Sequence, residues 1–388
     1  MEKQSQYWVI CPDYPPSQSG LAGHTVAFAQ ALRKHGSVKV LTSAGSVPAS
    51  ADLFPVVKKW NFSGLVSAFY ATPELRDDKT ARIVVQYLPF LYNPRGGINF
   101  SICFFALFLF LSGRKIDLIC HELHYPFLPQ PKAIALFSAH ISMLVLLGIA
   151  SDQVFTTTDF FLARARKILF WKKNIFYLPV GSNMGSASSA EDAYQKFRKR
   201  FELDGKFVIS IFGTIHPTRE MKKIISSLVR IQEKMQAPSV LMLIGETEAR
   251  IKSELGEQGF LRFLSRGIIL GKIESADFAA AMRATHIAVA FFSDGATTRR
   301  GSLLASASFG VPTVSTLASH TEPSLRDLPE LTLLSPNPEK FVNELEAHLH
   351  SKLELAAPAL RSPSNYYRAH FGWEQIITRY REAHSRQQ

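Results

Sequence analysis

Tyr7–Ser43 reads YWVICPDYPPSQSGLAGHTVAFAQALRKHGSVKVLTS, and its punctuation decides the fold. Tyr7 to Cys11 is a run of apolar, β-favouring residues and predicts a buried strand. The Pro- and Gly-rich PDYPPSQSGLAG cannot continue that strand and predicts a loop. Thr25 to His35 then carries Val26, Phe28, Ala29 and Leu32 at helical spacing and stops at Gly36, as helix C-termini commonly do. VKVLTS, ending at Ser43, predicts the next strand. Strand, glycine-containing loop, helix and strand form the βαβ unit of a parallel sheet.

Reading outward, further strands are expected at Ile83–Tyr87, Ile116–His121 and Gln153–Thr156, with helices between them, and Phe176–Leu178 leads into a different composition. PVGSNMGSASSAE, residues 179–191, is rich in Gly and Ser and reads as a linker. The pattern then restarts. Phe207–Phe212, Val240–Ile244, Ile268–Leu270 and Ile287–Phe292 predict strands, and Met221–Met235 and Ala276–Ala284 predict helices. In SDGATTRRGSLLASASFGVPTVST, Ser293–Thr316, a loop leads into a helix over Leu303, Leu304, Ala305, Ala307 and Phe309. Gly310 and Pro312 stop that helix, and Val311–Thr316 is a strand. The expectation is an α/β chain of two parallel-sheet domains facing a cleft. The first spans 1–180 and is completed by a C-terminal helix at 366–388; the second spans 181–365. Ligands of such sheets bind beyond the carboxyl ends of the strands. The loops of interest therefore follow Cys11, His121, Phe212, Ile244, Leu270 and Phe292.

A chain of 388 residues suits two domains, each with its own core. With 46% hydrophobic and 20% charged residues it is globular rather than disordered. A net charge of +12 favours an anionic partner. Cys11, Cys103 and Cys120 are scattered without metal-ligand spacing, so they read as free thiols in a reducing compartment. MEKQSQ is polar and leads straight into the first strand, so no secretory signal is expected and the sequons at Asn61 and Asn99 carry little weight. Phe100–Leu111 would reach only about 18 Å as a helix and Ala133–Ile149 is also short for a span, so both are expected to be buried or to rest on a bilayer surface.

The order of these segments resembles a GT-B glycosyltransferase of the family 4 type, the glycosyl transferases group 1 set. SGLAGHTVAFAQALRKHGSVKVLTS is similar to the family's opening glycine loop and helix. SDQVFTTTDFFLARARK with IFYLPVGSN resembles its approach to the linker, KFRKRFELDGKFVISIFGTI its entry to the second domain, ASFGVPTVST its strand after the donor helix, and HFGWEQIITRYREAH its closing helix. The resemblance covers nearly the whole chain. It implies two Rossmann-like domains, a nucleoside diphosphate sugar held mainly by the second, and a glycan or lipid-linked acceptor. The departures are specific. Thr214 stands at the place of the family's phosphate-binding arginine and Arg219-Glu220 at the place of its Lys-Gly. Ala305 and Thr297 stand where two glutamates, facing ribose and sugar, are usual.

The donor-binding residues that follow are Gly213, Thr214, Arg219, Gly245, Gly271, Asp294, Arg299, Arg300, Gly301, Ser302 and Leu303. Arg299, Arg300 and the amides of Gly301, Ser302 and Leu303 are expected to seat a diphosphate at the positive end of a helix. Asp294 would orient one arginine or replace a lost carboxylate. Catalytic candidates are Glu122, His121 and Asp13, in that order, needed as a base if the reaction inverts. Gly20, Gly23, His24 and His124 are the acceptor- or sugar-facing candidates. No Asp-x-Asp occurs, so a metal-independent reaction without a cofactor is expected, with cations neutralising the leaving group. Competing readings are a non-catalytic GT-B protein that binds a sugar nucleotide or glycan, and a sugar-nucleotide epimerase. No ribonucleoprotein or zinc-finger pattern supports nucleic-acid binding. ARARKILFWKKN, Ala163–Asn174, interleaves five cations with aromatics and suits an anionic membrane. The expected location is cytoplasmic, peripheral at the inner face of the plasma membrane.

Overall fold

The computed structural model describes residues 5–17, 19–43, 54–60, 65–70, 72–93, 97–184, 191–352 and 361–385. The sequon at Asn61 and the centre of the expected linker lie outside them. The chain divides into one unit of Met1–Asn183 with Trp373–Gln388 and another of Met184–Gly372.

The first unit runs β1 (Ser5–Ile10), α1 (Gly20–Leu32), β2 (Gly36–Ser43), β3 (Val56–Trp60), α2 (Leu65–Tyr70), α3 (Pro73–Asp77), β4 (Arg82–Tyr87), α4 (Ser101–Leu111), β5 (Ile116–Cys120), α5 (Pro131–Ala150), β6 (Gln153–Thr156), α6 (Asp159–Ile168) and β7 (Ile175–Tyr177). Its strands are all parallel, in the order β3-β2-β1-β4-β5-β6-β7. Alternate residues of each strand point to opposite faces of the sheet. Ile10, Ile83, Val85 and Leu118 pack under α2, α4, α5 and α6. Val9, Val84, Ile119 and Phe155 pack under α1 and the chain's last helix. Helix α5 is longer than the sequence reading allowed and is the one described helix long and apolar enough to cross a membrane. It joins β5 to β6 and buries Met143, Leu144 and Leu147 on the sheet.

The second unit runs α7 (Glu191–Arg200), β8 (Phe207–Phe212), α8 (Met221–Lys234), β9 (Ser239–Ile244), α9 (Glu248–Leu264), β10 (Gly267–Gly271), α10 (Ser275–Ala284), β11 (Ile287–Val289), α11 (Gly301–Ser308), β12 (Thr313–Thr316), α12 (Pro323–Arg326), β13 (Leu331–Leu334), α13 (Pro338–His350) and α14 (Asn365–Phe371). Its order is β10-β9-β8-β11-β12-β13, again parallel throughout. In both sheets the order turns back at the first strand, which puts a crevice between β1 and β4 and another between β8 and β11.

The closing segment read as one helix is two. Gly372 adopts an extended backbone and breaks it. Helix α14 keeps Tyr367 and Phe371 against Leu303 and Leu304 of the second unit, while α15 (Trp373–Ser385) belongs to the first. A buried carboxylate fixes α15 there. Asp117, fully buried in β5, accepts hydrogen bonds from Arg82 Nη1 at 2.8 Å, Tyr380 Oη at 2.5 Å and His384 Nε2 at 2.9 Å. Removing one side of such a group leaves its partners uncompensated. Asp117→Ala is therefore expected to destabilise the first unit by about 3–5 kcal/mol in denaturant melts, and loss of less than 1 kcal/mol would show the network to be incidental.

Candidate functional site

The carboxyl edge of the second sheet is built on three glycines. Gly213, Gly245 and Gly271 end β8, β9 and β10 with φ of +116°, +98° and +62°. The Gly213 amide donates to the Ile244 carbonyl at 2.9 Å and the Gly245 amide to that of Gly271 at 2.7 Å. A Cβ on Gly213 would collide with the guanidinium of Arg219. The missing side chain is thus what lets Arg219 lie across the strand end.

Arg219 is 5% exposed. Its Nη2 donates to the Phe212 carbonyl at 2.8 Å and its Nη1 to that of Thr214 at 3.2 Å, while Nε has no acceptor among the described residues. Its Cζ lies 5.3 Å from the ring centre of Phe292, and the Cζ of Arg300 lies 4.6 Å from the same ring. The two guanidiniums therefore share one aromatic residue, a favourable cation–π arrangement. Burial, and then the charge of Arg300, lower the Arg219 pKa from 12.5 to about 10. The loops carrying this pair leave β8 and β11, either side of the crevice, and are tied by the Ser293 amide donating to the Thr218 carbonyl at 2.9 Å.

Asp294 is where the second arginine finds its counter-ion: Arg300 Nη2 lies 2.5 and 2.6 Å from its two oxygens. Arg299 is exposed. Helix α11 starts at Gly301, as the sequence pattern predicts, but two of its three expected phosphate amides are already used. The Gly301 amide donates to the Arg299 carbonyl at 3.0 Å and that of Leu303 to the Arg300 carbonyl at 2.9 Å. A tight turn before the helix consumes them, so the expectation of a three-amide seat is corrected. The Ser302 side chain sits near Gly213, its Cβ 3.5 Å from where a Gly213 Cβ would be. Thr214 is exposed and contributes its carbonyl rather than its side chain. Gly271 stands two strands from Arg219 in the sheet order.

Three positions that shape this edge escaped the sequence reading. Phe292 is the shared aromatic. Glu246, buried beyond β9, accepts from the amides of Ile215 and Thr247 at 2.8 and 2.9 Å and so fixes the loop after β8. Glu322, 1% exposed, accepts from the Thr298 amide and hydroxyl at 2.9 and 3.0 Å and anchors the arginine loop. A carboxylate beside a loop carries no spacing signal, so no pattern flagged the last two.

In the first unit the corresponding edge carries histidines and carboxylates and lacks the paired arginines of the second. His24 of α1 is 2% exposed, and neither ring nitrogen has a hydrogen-bond partner among the described residues. Its ring lies 4.7 Å from that of His121 and 5.3 Å from that of Trp373. His121 Nε2 meets Gln86 Oε1 at 2.7 Å. Gln86 is buried in β4, and a glutamine inside the apolar IVVQY was the available signal. Asp13 accepts from the hydroxyl of Ser19, whose oxygen in turn caps α1 through the Ala22 amide at 3.0 Å. Glu122 is half-buried next to His121 in the chain. His124 is engaged elsewhere, with Nδ1 2.8 Å from the Tyr125 carbonyl and its ring 4.9 Å from that of Phe137. A Cβ on Gly23 would strike the side chain of Asn183, so Gly23 serves close packing, whereas Gly20 faces open space.

No protein-family model matches the chain, and no curated protein matches it in sequence. Solved structures do match. HepE from Anabaena, described in complex with UDP and glucose, superposes with a TM-score of 0.66 at 13% identity, covering 98% of this chain and 100% of that one. Sucrose-phosphate synthase from Thermosynechococcus elongatus gives 0.66 at 15% identity over 98% of both chains. WaaG, described as a glycosyltransferase involved in lipopolysaccharide biosynthesis, gives 0.62 at 13% identity over 97% of this chain and 95% of that one. The fold is GT-B.

Two outcomes follow from this geometry. Glu220, next to Arg219, holds φ +46° and ψ +39°, the left-handed region that glycine occupies without strain. Glu220→Gly should raise stability by about 0.5–1 kcal/mol in a denaturant melt; a loss would mean the side chain has a stabilising role. Burial lowers the His24 pKa from 6.5 to about 3. Between those values the unfolded chain binds a proton that the folded chain refuses, so stability is present above pH 6.5 and falls as pH drops towards 3. His24→Leu should flatten that acid limb, whose slope is at most about 1.4 kcal/mol per pH unit for one group, and an unchanged limb would place the proton elsewhere.

Proposed function

We propose that this protein is a glycosyltransferase that moves a sugar, a hexose or related unit, from a nucleoside diphosphate sugar to a glycan or lipid-linked acceptor. The observation that carries the reading is Arg219. A guanidinium buried beside a second one, with no carboxylate paired to it among the described residues, is costly unless an anion completes the site. The donor diphosphate is that anion. Arg300, over the same Phe292 ring, meets it as the second cation, Arg299 from the exposed rim, and Ser302 supplies a hydroxyl. As the bond to the sugar breaks, charge develops on the leaving diphosphate, where these fixed cations oppose it without a metal. The likeness to structures described with UDP supports a nucleotide donor.

The first unit binds the acceptor in this reading. Its neutral His24, with His121 and Gln86, suits hydroxyl groups rather than phosphates. If the reaction inverts, Glu122, His121 and Asp13, in that order, are the candidate bases. The enzyme works in the cytoplasm, where buried thiols such as Cys11 remain reduced.

Calorimetric titration with UDP-, GDP-, ADP- and dTDP-sugars tests the proposal. One of them should bind, and Arg219→Ala and Arg300→Ala should each weaken it by roughly 10- to 100-fold, with Arg299→Ala weaker in effect. The two substitutions leaving affinity unchanged would remove the site. Product analysis separates the chemistry: nucleotide release on adding acceptor marks transfer, an isomerised donor without release marks an epimerase, and binding without turnover marks a non-catalytic protein.

A further inference from the structure

We infer that the first unit carries a docking surface for an anionic lipid bilayer at the amino edge of its sheet, the edge opposite to His24 and His121. Helices α4, α5 and α6 each lead from the carboxyl end of one strand to the amino end of the next, so all three finish at that edge. Their last turns expose large apolar side chains there. Leu111 is 82% exposed and Phe170 81%, and Phe110, Ile149 and Trp171 are each about half exposed. Two of the ends are drawn together: Gly148 of α5 packs on the side chain of Leu169, which brings the turn carrying Phe170 and Trp171 to the end of α5. The two rings stand edge to face at 5.2 Å, a rigid amphipathic tip of the kind found at headgroup depth.

Charge names the occupant. Arg166, Lys167 and Lys173 are exposed around these tips. The Lys172 ammonium donates to the Ser151 carbonyl, which pins the turn to the end of α5. Of the acids near this edge, Asp152 pairs with Lys115 at 3.1 Å, Asp77 with Arg76 at 2.8 Å, and Asp117 is buried in its own network, while Glu74 and Asp78 lie on the α3 side that Arg114 holds, away from the α6 turn. Along α5, no charged residue occurs between Lys132 and Asp152, although Ile134, Ala135, Ser138 and Ser142 face outward. A water-facing helix side ordinarily carries charge. Apolar tips ringed by uncompensated cations match a surface of anionic headgroups above acyl chains. The surface lies wholly in the first unit and does not depend on the arginine site of the second.

The test uses the full chain with vesicles of phosphatidylcholine alone or mixed with phosphatidylglycerol, read by co-sedimentation. Binding is expected to the mixed vesicles, to weaken with salt, and to be slight on the neutral ones. Leu111→Ser with Phe170→Ser should weaken it roughly tenfold, and Lys167→Gln with Lys173→Gln by about tenfold or more. Both pairs alter exposed positions, and melting temperatures matching the parent establish that they fold. Absence of binding, or binding that neither pair alters, overturns the inference. So does a concentration-dependent dimer abolished by Leu111→Ser with Phe170→Ser in light scattering, since a second copy would then be what covers the tips.

Discussion

Burying Arg219 is the constraint around which the second unit is arranged. A guanidinium removed from water and set near another of like sign raises the free energy of the folded state. The chain offsets this with fixed dipoles rather than with a counter-ion. The carbonyls of Phe212 and Thr214 take two of its N–H groups, and the face of Phe292 takes its flat side. Gly213 has no side chain because the guanidinium occupies that volume. Glu246 and Glu322 do not neutralise the pair. They spend their oxygens on backbone amides and hold the two flanking loops still. The result is a preorganised positive seat, whose desolvation was met on folding and is not met again on binding.

The two units repeat one topology and fill the same crevice with opposite chemistry. Between β8 and β11 lie two guanidiniums that share the ring of Phe292. Beside β1 and β4 lies a histidine that burial keeps neutral. A sugar nucleotide and its acceptor differ in the same sense, one carrying a diphosphate and the other hydroxyls. The fold supplies equivalent positions beyond the strand ends, and residue choice alone assigns a charge to each.

Most of the strands that the sequence made legible are inner ones, because continuous apolar runs such as YWVI and VLMLI have no other stable place; the edge strand β10 was legible too, from its GIIL run. The edge strands β3, β7 and β13 were missed, and β7 is only three residues long. Val56–Trp60 carries Lys58 and Lys59, and Leu331–Leu334 is only four residues long. An edge needs one neighbour and so imposes a weaker pattern. At the site, the glycines and arginines were legible because turn geometry and charge mark them locally. Phe292, Glu322 and the fate of the Gly301 and Leu303 amides were not, since each depends on how a loop closes on a residue distant in the chain.

The carboxylates missing by comparison with the resembled family also find a physical account. Ala305 lies fully buried among Phe278, Phe309 and Val311. A glutamate there would place a charge inside an apolar cluster, at a cost of several kcal/mol on the usual scale for buried ions. Thr297 is buried too, and its carbonyl accepts the Arg300 amide that shapes the arginine loop. A carboxylate at Ala305 would require α11 to repack. The remaining acids of the loop, Asp294 and Glu322, are bound to Arg300 and Thr298. In the proposed reading, donor recognition is therefore displaced from the hydroxyls of the nucleotide towards its phosphates, on the side of Arg219 and Arg300.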